Sequence, residues 1–104
     1  MVIIFSIKRV REFLLRNGFV YTLRLNRKQF GKDWMTDRRG GKWICDVWVE
    51  LVDVLPRDTL GFTLTRYVKW SGYLTEGEWV NDFMRVHKLK ELPEKIQLIR
   101  VVVR

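Results

Sequence analysis

The sequence predicts an α+β fold, a small mixed or antiparallel β-barrel with helices packed outside. Three observations lead there: short alternating runs of strand type, helical apolar spacing between them, and no regular βαβ repeat of the kind a parallel sheet needs. The chain has 104 residues, 47% hydrophobic and 13% aromatic with 5 Trp. That is enough apolar material for one core and far too much for a disordered tail. A single domain over residues 1–104 is expected.

Val2 to Phe5 reads as a short strand. Ser6 stands where a helix cap belongs, and Ile7, Val10, Phe13 and Leu14 then share one helical face. Asn17-Gly18 stops that helix, because both residues tolerate the left-handed conformation. Phe19 to Leu25 resumes as a strand with Val20, Thr22 and Arg24 on one side. Arg27 to Lys42 holds Gly31, Gly40 and Gly41 without a sustained period and reads as a long loop. Trp43 to Val54 alternates, with Cys45, Val47, Val49 and Leu51 on the apolar face against Asp46, Trp48 and Glu50. Pro56 ends that strand, and Thr65 to Ser71 suits one or two helical turns before Gly72. Thr75-Glu76-Gly77-Glu78 fits a capping box that opens a helix carrying Trp79, Phe83 and Val86 inward. Pro93 separates this helix from a closing strand, Ile96 to Val103.

Twenty Lys+Arg against twelve Asp+Glu leave +8, with a sequence pI near 10.1. Such a field favours polyanions, and a pI of this size is the footprint of a nucleic-acid partner. Apolar runs such as Val101 to Val103 fall well short of the roughly 20 residues a membrane span needs. The amino end shows no basic leader ahead of a long apolar stretch, so a cytoplasmic location and no membrane partner are expected. Cys45 and His87 are the only residues of their kinds. No disulfide, thiolate metal cluster, Ser-His pair or Cys-His pair follows from them, and no metal or cofactor is expected. Two Gln and three Asn among many Arg, Lys and Val hint at a heat-adapted source.

Three stretches carry a shared pattern. The first runs through Phe5-Ser6-Ile7-Lys8, Glu12-Phe13-Leu14 and Asn17-Gly18 to Thr22-Leu23-Arg24. The second is the alternating strand Ile44 to Val54, and the third comprises Leu64-Thr65, Gly72-Tyr73, Thr75 and Glu78-Trp79. In this order and spacing they resemble the ASCH domain, a branch of the PUA-like β-barrel superfamily. The resemblance implies a stand-alone barrel with a cleft between barrel and helices that meets RNA or modified bases. Some bacterial members of that family are amidohydrolases acting on an acylated nucleoside through a Lys, the Thr of Thr-x-Arg and a Glu. Of those, only Thr22 matches; Phe19 stands at the Lys position, and the Glu position falls at about Gly72 beside Ser71. Catalytic residues are therefore not expected, since a phenyl ring neither activates a nucleophile nor holds an anion.

Arg27 to Lys42 concentrates six bases (Arg27, Lys28, Lys32, Arg38, Arg39, Lys42) against Asp33 and Asp37, with Phe30, Trp34 and Trp43 close by. Cations for phosphates and flat rings for bases are what a single strand asks for; the plainer alternative is a solvated basic loop with its rings in the core. Thr22 and Arg24 share a strand face, where a guanidinium fork suits a phosphate or base edge, or pairs with an acid such as Glu50. Trp70 and Tyr73 flank Gly72 and suit one wall of the cleft or plain packing. His87 and Cys45 fit structural roles, and Asp46 and Glu50 fit salt links to the basic loop. The expected function is non-catalytic RNA binding, with DNA as another possible strand. The alternatives are an enzyme on a modified nucleoside, using Thr22 with Lys69 as its base, and an adaptor for a protein partner.

Overall fold

A computed structural model describes residues 1–104. Five strands form one curled half-barrel sheet: β1 (Val2–Ile4), β2 (Phe19–Arg24), β3 (Gly31–Thr36), β4 (Cys45–Pro56) and β5 (Lys95–Val103). Their order is β1-β3-β4-β5-β2, parallel only between β1 and β3. Three helices complete the chain: α1 (Lys8–Asn17), α2 (Leu60–Tyr67) and α3 (Glu76–Val86), with single 3-10 turns at Arg57–Thr59 and Val68–Trp70. The expected mixed α+β fold is what the chain forms, its barrel realised as a curled half-barrel sheet with three helices packed on it, and no helix is long and apolar enough to cross a membrane.

The sheet is buried on both faces, but at different heights. One cluster packs α1, through Val10 and Leu14, onto Ile3, Val20, Met35, Val47, Val49, Ile99 and Val101. The other packs α2 and α3, through Leu60, Leu64, Trp79 and Phe83, onto Leu23, Leu55, Ile96 and Leu98. β5 serves both without a break, because its odd residues Ile99 and Val101 face one cluster and its even residues Ile96 and Leu98 the other. β4 serves both by a register shift between Leu51 and Asp53. Before the shift its odd residues Val47 and Val49 belong to the α1 cluster; after it the odd residue Leu55 belongs to the other. One extra residue in a strand inverts which side chains face each side. Leu51, the last residue before the shift, pairs with Ile99 and keeps the face that simple alternation assigned to it, although it is exposed.

Several boundaries differ from expectation. The supposed loop Arg27 to Lys42 contains β3, which pairs with β1 and β4. Its pattern is masked because Met35 and Thr36 are buried consecutively while Asp33 is buried by an ion pair with Arg27. Ser6 does not cap α1; the N-cap is Ile7, with no side-chain bond. Gly18 ends α1 as anticipated, at φ 85° with its amide donating to the Leu14 carbonyl. α2 begins five residues earlier than Thr65, directly after the turn that follows Pro56. The Thr75 hydroxyl accepts from the Glu78 amide at 3.2 Å, the first half of the capping box, while the Glu78 carboxylate accepts from the Thr75 hydroxyl and Arg9 in place of the Thr75 amide. Val86 is exposed at the last turn of α3 and not turned inward.

Candidate nucleic-acid interface

The two edges of the half-barrel, β1 and β2, are not paired with each other, and arginines span the seam instead. Arg24, the last residue of β2, donates from Nη2 to the Ile4 carbonyl at 3.0 Å and stacks over the Phe5 ring at 4.9 Å. Arg27 reaches the Val2 carbonyl through Nη1 and ion-pairs through Nη2 with the buried carboxylate of Asp33. Its backbone is fixed as well, exchanging hydrogen bonds of 2.8 and 2.9 Å with the Gln97 amide. Arg27 is thus a structural strut and not the free phosphate contact expected of it.

Beside the seam lies a narrow cleft of about 60 Å³ between β2, the segment joining β1 to α1, and α3. That is space for about two water molecules, enough for a phosphate oxygen pair or the edge of a base. Thr22, Arg24 and Tyr73 line it together with Ser71, Asp82 and His87. The alternation of β2 sends Thr22 and Arg24 to this side, while Leu23 enters the α2/α3 cluster. Gly72, at φ 88°, lies against Val10 and lets Ser71 and Tyr73 turn toward the cleft; a Cβ there would stand 3.2 Å from the Val10 Cα.

Arg24 is the unusual group of the cleft. Its Nε is shut off from solvent and has no acceptor, and none of the ion pairs of the chain includes it. Burial, followed by repulsion from Arg27, lowers its pKa to about 10, so it is still a cation at neutral pH. The one carboxylate in the cleft is already engaged: Asp82 accepts from Tyr73 Oη at 2.9 Å and from Arg85 at 2.7 Å. Burial first, then the bond to Asp82, pushes the Tyr73 hydroxyl above its ordinary pKa, so it stays protonated. His87 caps α3, its Nδ1 2.9 Å from the Phe83 carbonyl and its ring against Phe83. Ser71 donates to the Val68 carbonyl and Tyr73 to Asp82, so the cleft offers the Arg24 fork and the Thr22 hydroxyl, the chemistry of anion and carbonyl recognition.

No family model, curated protein or solved structure matches this chain.

The expected site residues do not form one surface. Thr22, Arg24 and Tyr73 meet in the cleft, and Lys28 lies with Arg27 on an open depression that shares Arg24 and His87 with it. Trp34, Arg38, Arg39 and Lys42 line neither. Trp34 sits on β3 opposite Val2 and Asp46; Arg38 and Arg39 are exposed in the β3–β4 turn, with Arg38 3.6 Å from Asp37, and Lys42 is exposed too. Trp70 turns away from the cleft onto Phe19, Tyr21 and Tyr67, its centroid 5.8 Å from that of Tyr21. Lys69 lies over the Trp70 ring at 4.3 Å and not at Thr22. Glu50 pairs with Arg100 at 3.0 Å, and Asp46 accepts from Trp43 Nε1 at 2.8 Å; neither meets the basic segment as anticipated, and Glu50 does not meet Arg24. Sequence reasoning missed Ser71, Asp82 and His87 as cleft residues, because Asp82 and His87 come from the far end of α3, whose packing no local pattern encodes.

Proposed function

We propose that this chain is a non-catalytic RNA-binding domain whose cleft takes the phosphate or base edge of one unpaired nucleotide. The observation that carries the proposal is the half-buried Arg24 guanidinium, cationic, its Nε shut off from solvent without an acceptor and without a carboxylate of its own. A charge left unpartnered in a folded chain is destabilising unless a ligand completes it. The adjoining depression, with Lys28 and the surplus of +8 behind it, suits the rest of a polyanion. The resemblance to the ASCH domain points to the same ligand class.

The test is an anisotropy titration of fluorescein-labelled single-stranded RNA at low and moderate salt. Binding weakens steeply as salt rises, and Arg24→Gln weakens it at least tenfold while leaving the circular dichroism spectrum unchanged. Absence of binding at low salt, or an Arg24→Gln affinity equal to that of the wild type, defeats the proposal.

A further inference from the structure

The face of the sheet opposite α1 is only half covered. α2 and α3 sit on its Leu23, Leu98 and Ile96 end and stop at Tyr67 and Trp70. Beyond them the strand register arranges side chains in rows on one face. Lys32, Trp48, Val102 and Phe19 are consecutive cross-strand partners on β3, β4, β5 and β2. Glu50, Arg100 and Tyr21 form the next row on one side, and Trp34 with Asp46 the next on the other. None of these residues is buried; Trp48 is 43% exposed, and Lys32 is exposed beside it. Arg100 lies over the Phe19 ring at 5.9 Å, so the cations and rings of this face are in contact and not merely neighbours in sequence. At the Trp34 end, Trp43, 60% exposed, is fixed to Asp46, and this bond joins the face to the turn that carries Arg38, Arg39 and Lys42.

We infer that this open sheet face is a second binding surface, a stacking platform for a single-stranded stretch of RNA. The inference rests on the RNA reading of the cleft but uses none of its residues. Flat rings spaced along a pleated surface accept successive unpaired bases whatever their identity, because every base has a π-face. Arg100 is held by Glu50, so Lys32, with Arg38, Arg39 and Lys42 beyond the Trp34 row, supplies the charge that the phosphates of such a strand require. A globular protein partner is a poorer fit: the face mixes charged side chains of both signs through its rings, whereas the core of a protein interface is depleted of charge.

The decisive experiment compares wild type with Trp48→Ala, Trp48→Phe, Lys32→Gln and Arg24→Gln in the same titration, using a single-stranded RNA of about ten nucleotides. Phe62→Ala, which removes a ring 85% exposed on α2 and outside the rows, is the control. The platform predicts roughly tenfold weaker binding in Trp48→Ala, recovery to within about threefold in Trp48→Phe, a smaller loss in Lys32→Gln and none in Phe62→Ala. Trp48 and Lys32 are exposed, so these variants fold. If Trp48→Ala binds as wild type while Arg24→Gln is weakened, the platform is refuted and the cleft stands. If Trp48→Ala is weakened while Arg24→Gln is not, the platform stands and the cleft reading falls. A wild type that binds no RNA removes both. Sedimentation analysis covers the remaining occupant: a wild-type dimer that Trp48→Ala abolishes, without RNA, would assign the face to a second copy of this chain and overturn the inference.

Discussion

A guanidinium enclosed without a carboxylate opposes folding as long as it is charged. The lowering of the Arg24 pKa to about 10 corresponds to roughly 3 kcal/mol, and the hydrogen bond to Ile4 returns about 1 kcal/mol of it. Arg24→Met therefore raises the melting temperature by about 8–16 °C while weakening RNA binding, an opposition between stability and function that differential scanning calorimetry and anisotropy measure side by side. The pH dependence has a definite sign. The folded pKa lies below the unfolded one, so the penalty is fully present below about pH 10 and relaxes as pH rises above it; the gap between variant and wild type is flat to that point and narrows beyond it. Gly72→Ala acts oppositely, since a left-handed backbone and a Val10 Cα at 3.2 Å both resist a Cβ. It lowers stability by about 2 kcal/mol, read as a shift in the urea midpoint. At this scale the face that Thr22 and Arg24 occupy was legible from the alternation of β2. The seam that Arg24 and Arg27 bridge was not, because their acceptors are the Ile4 and Val2 carbonyls of a strand distant in sequence.

Elements were legible where one local signal governs them. The stop at Gly18 and the cap at Thr75 depend on a few adjacent residues, and both form as the sequence indicates. Thr75→Ala removes the acceptor for the Glu78 amide and costs about 1 kcal/mol, seen as a melting temperature lower by about 4–8 °C. Elements failed to show where two faces are buried at once. β3 buries Met35 and Thr36 in succession and hides Asp33 by charge pairing, so no period of two survives. In β4 the alternation was read correctly through Leu51, and the register shift after it then inverted the pattern. Alternation along one strand cannot reveal an inserted residue, because the bulge is defined against β5. The rows of Lys32, Trp48, Val102 and Phe19 were invisible for the same reason: they exist only once the register of four strands is fixed.

Taken across the whole molecule, charge and aromatic rings make separable contributions, and salt distinguishes them. The segment Arg27 to Lys42 holds half of the +8 surplus, yet Arg27 is neutralised by Asp33, leaving Lys28, Lys32, Arg38, Arg39 and Lys42 as exposed cations, the last three grouped at one end of the sheet. Each phosphate neutralised on a single strand contributes about −0.7 to the slope of log affinity against log salt. Replacing Arg38, Arg39 and Lys42 together by Gln therefore makes that slope shallower by about 2, with the two lines converging as salt rises from about 50 to about 200 mM. Trp48→Ala behaves differently, because stacking releases no counterions: its line is displaced to weaker binding and stays parallel to that of the wild type. Titrations of both variants over the same salt series check the pair of outcomes. A triple variant with an unchanged slope would place the turn outside the path of the strand, and a Trp48→Ala line of altered slope would mean that the ring positions a cation and does not stack on a base.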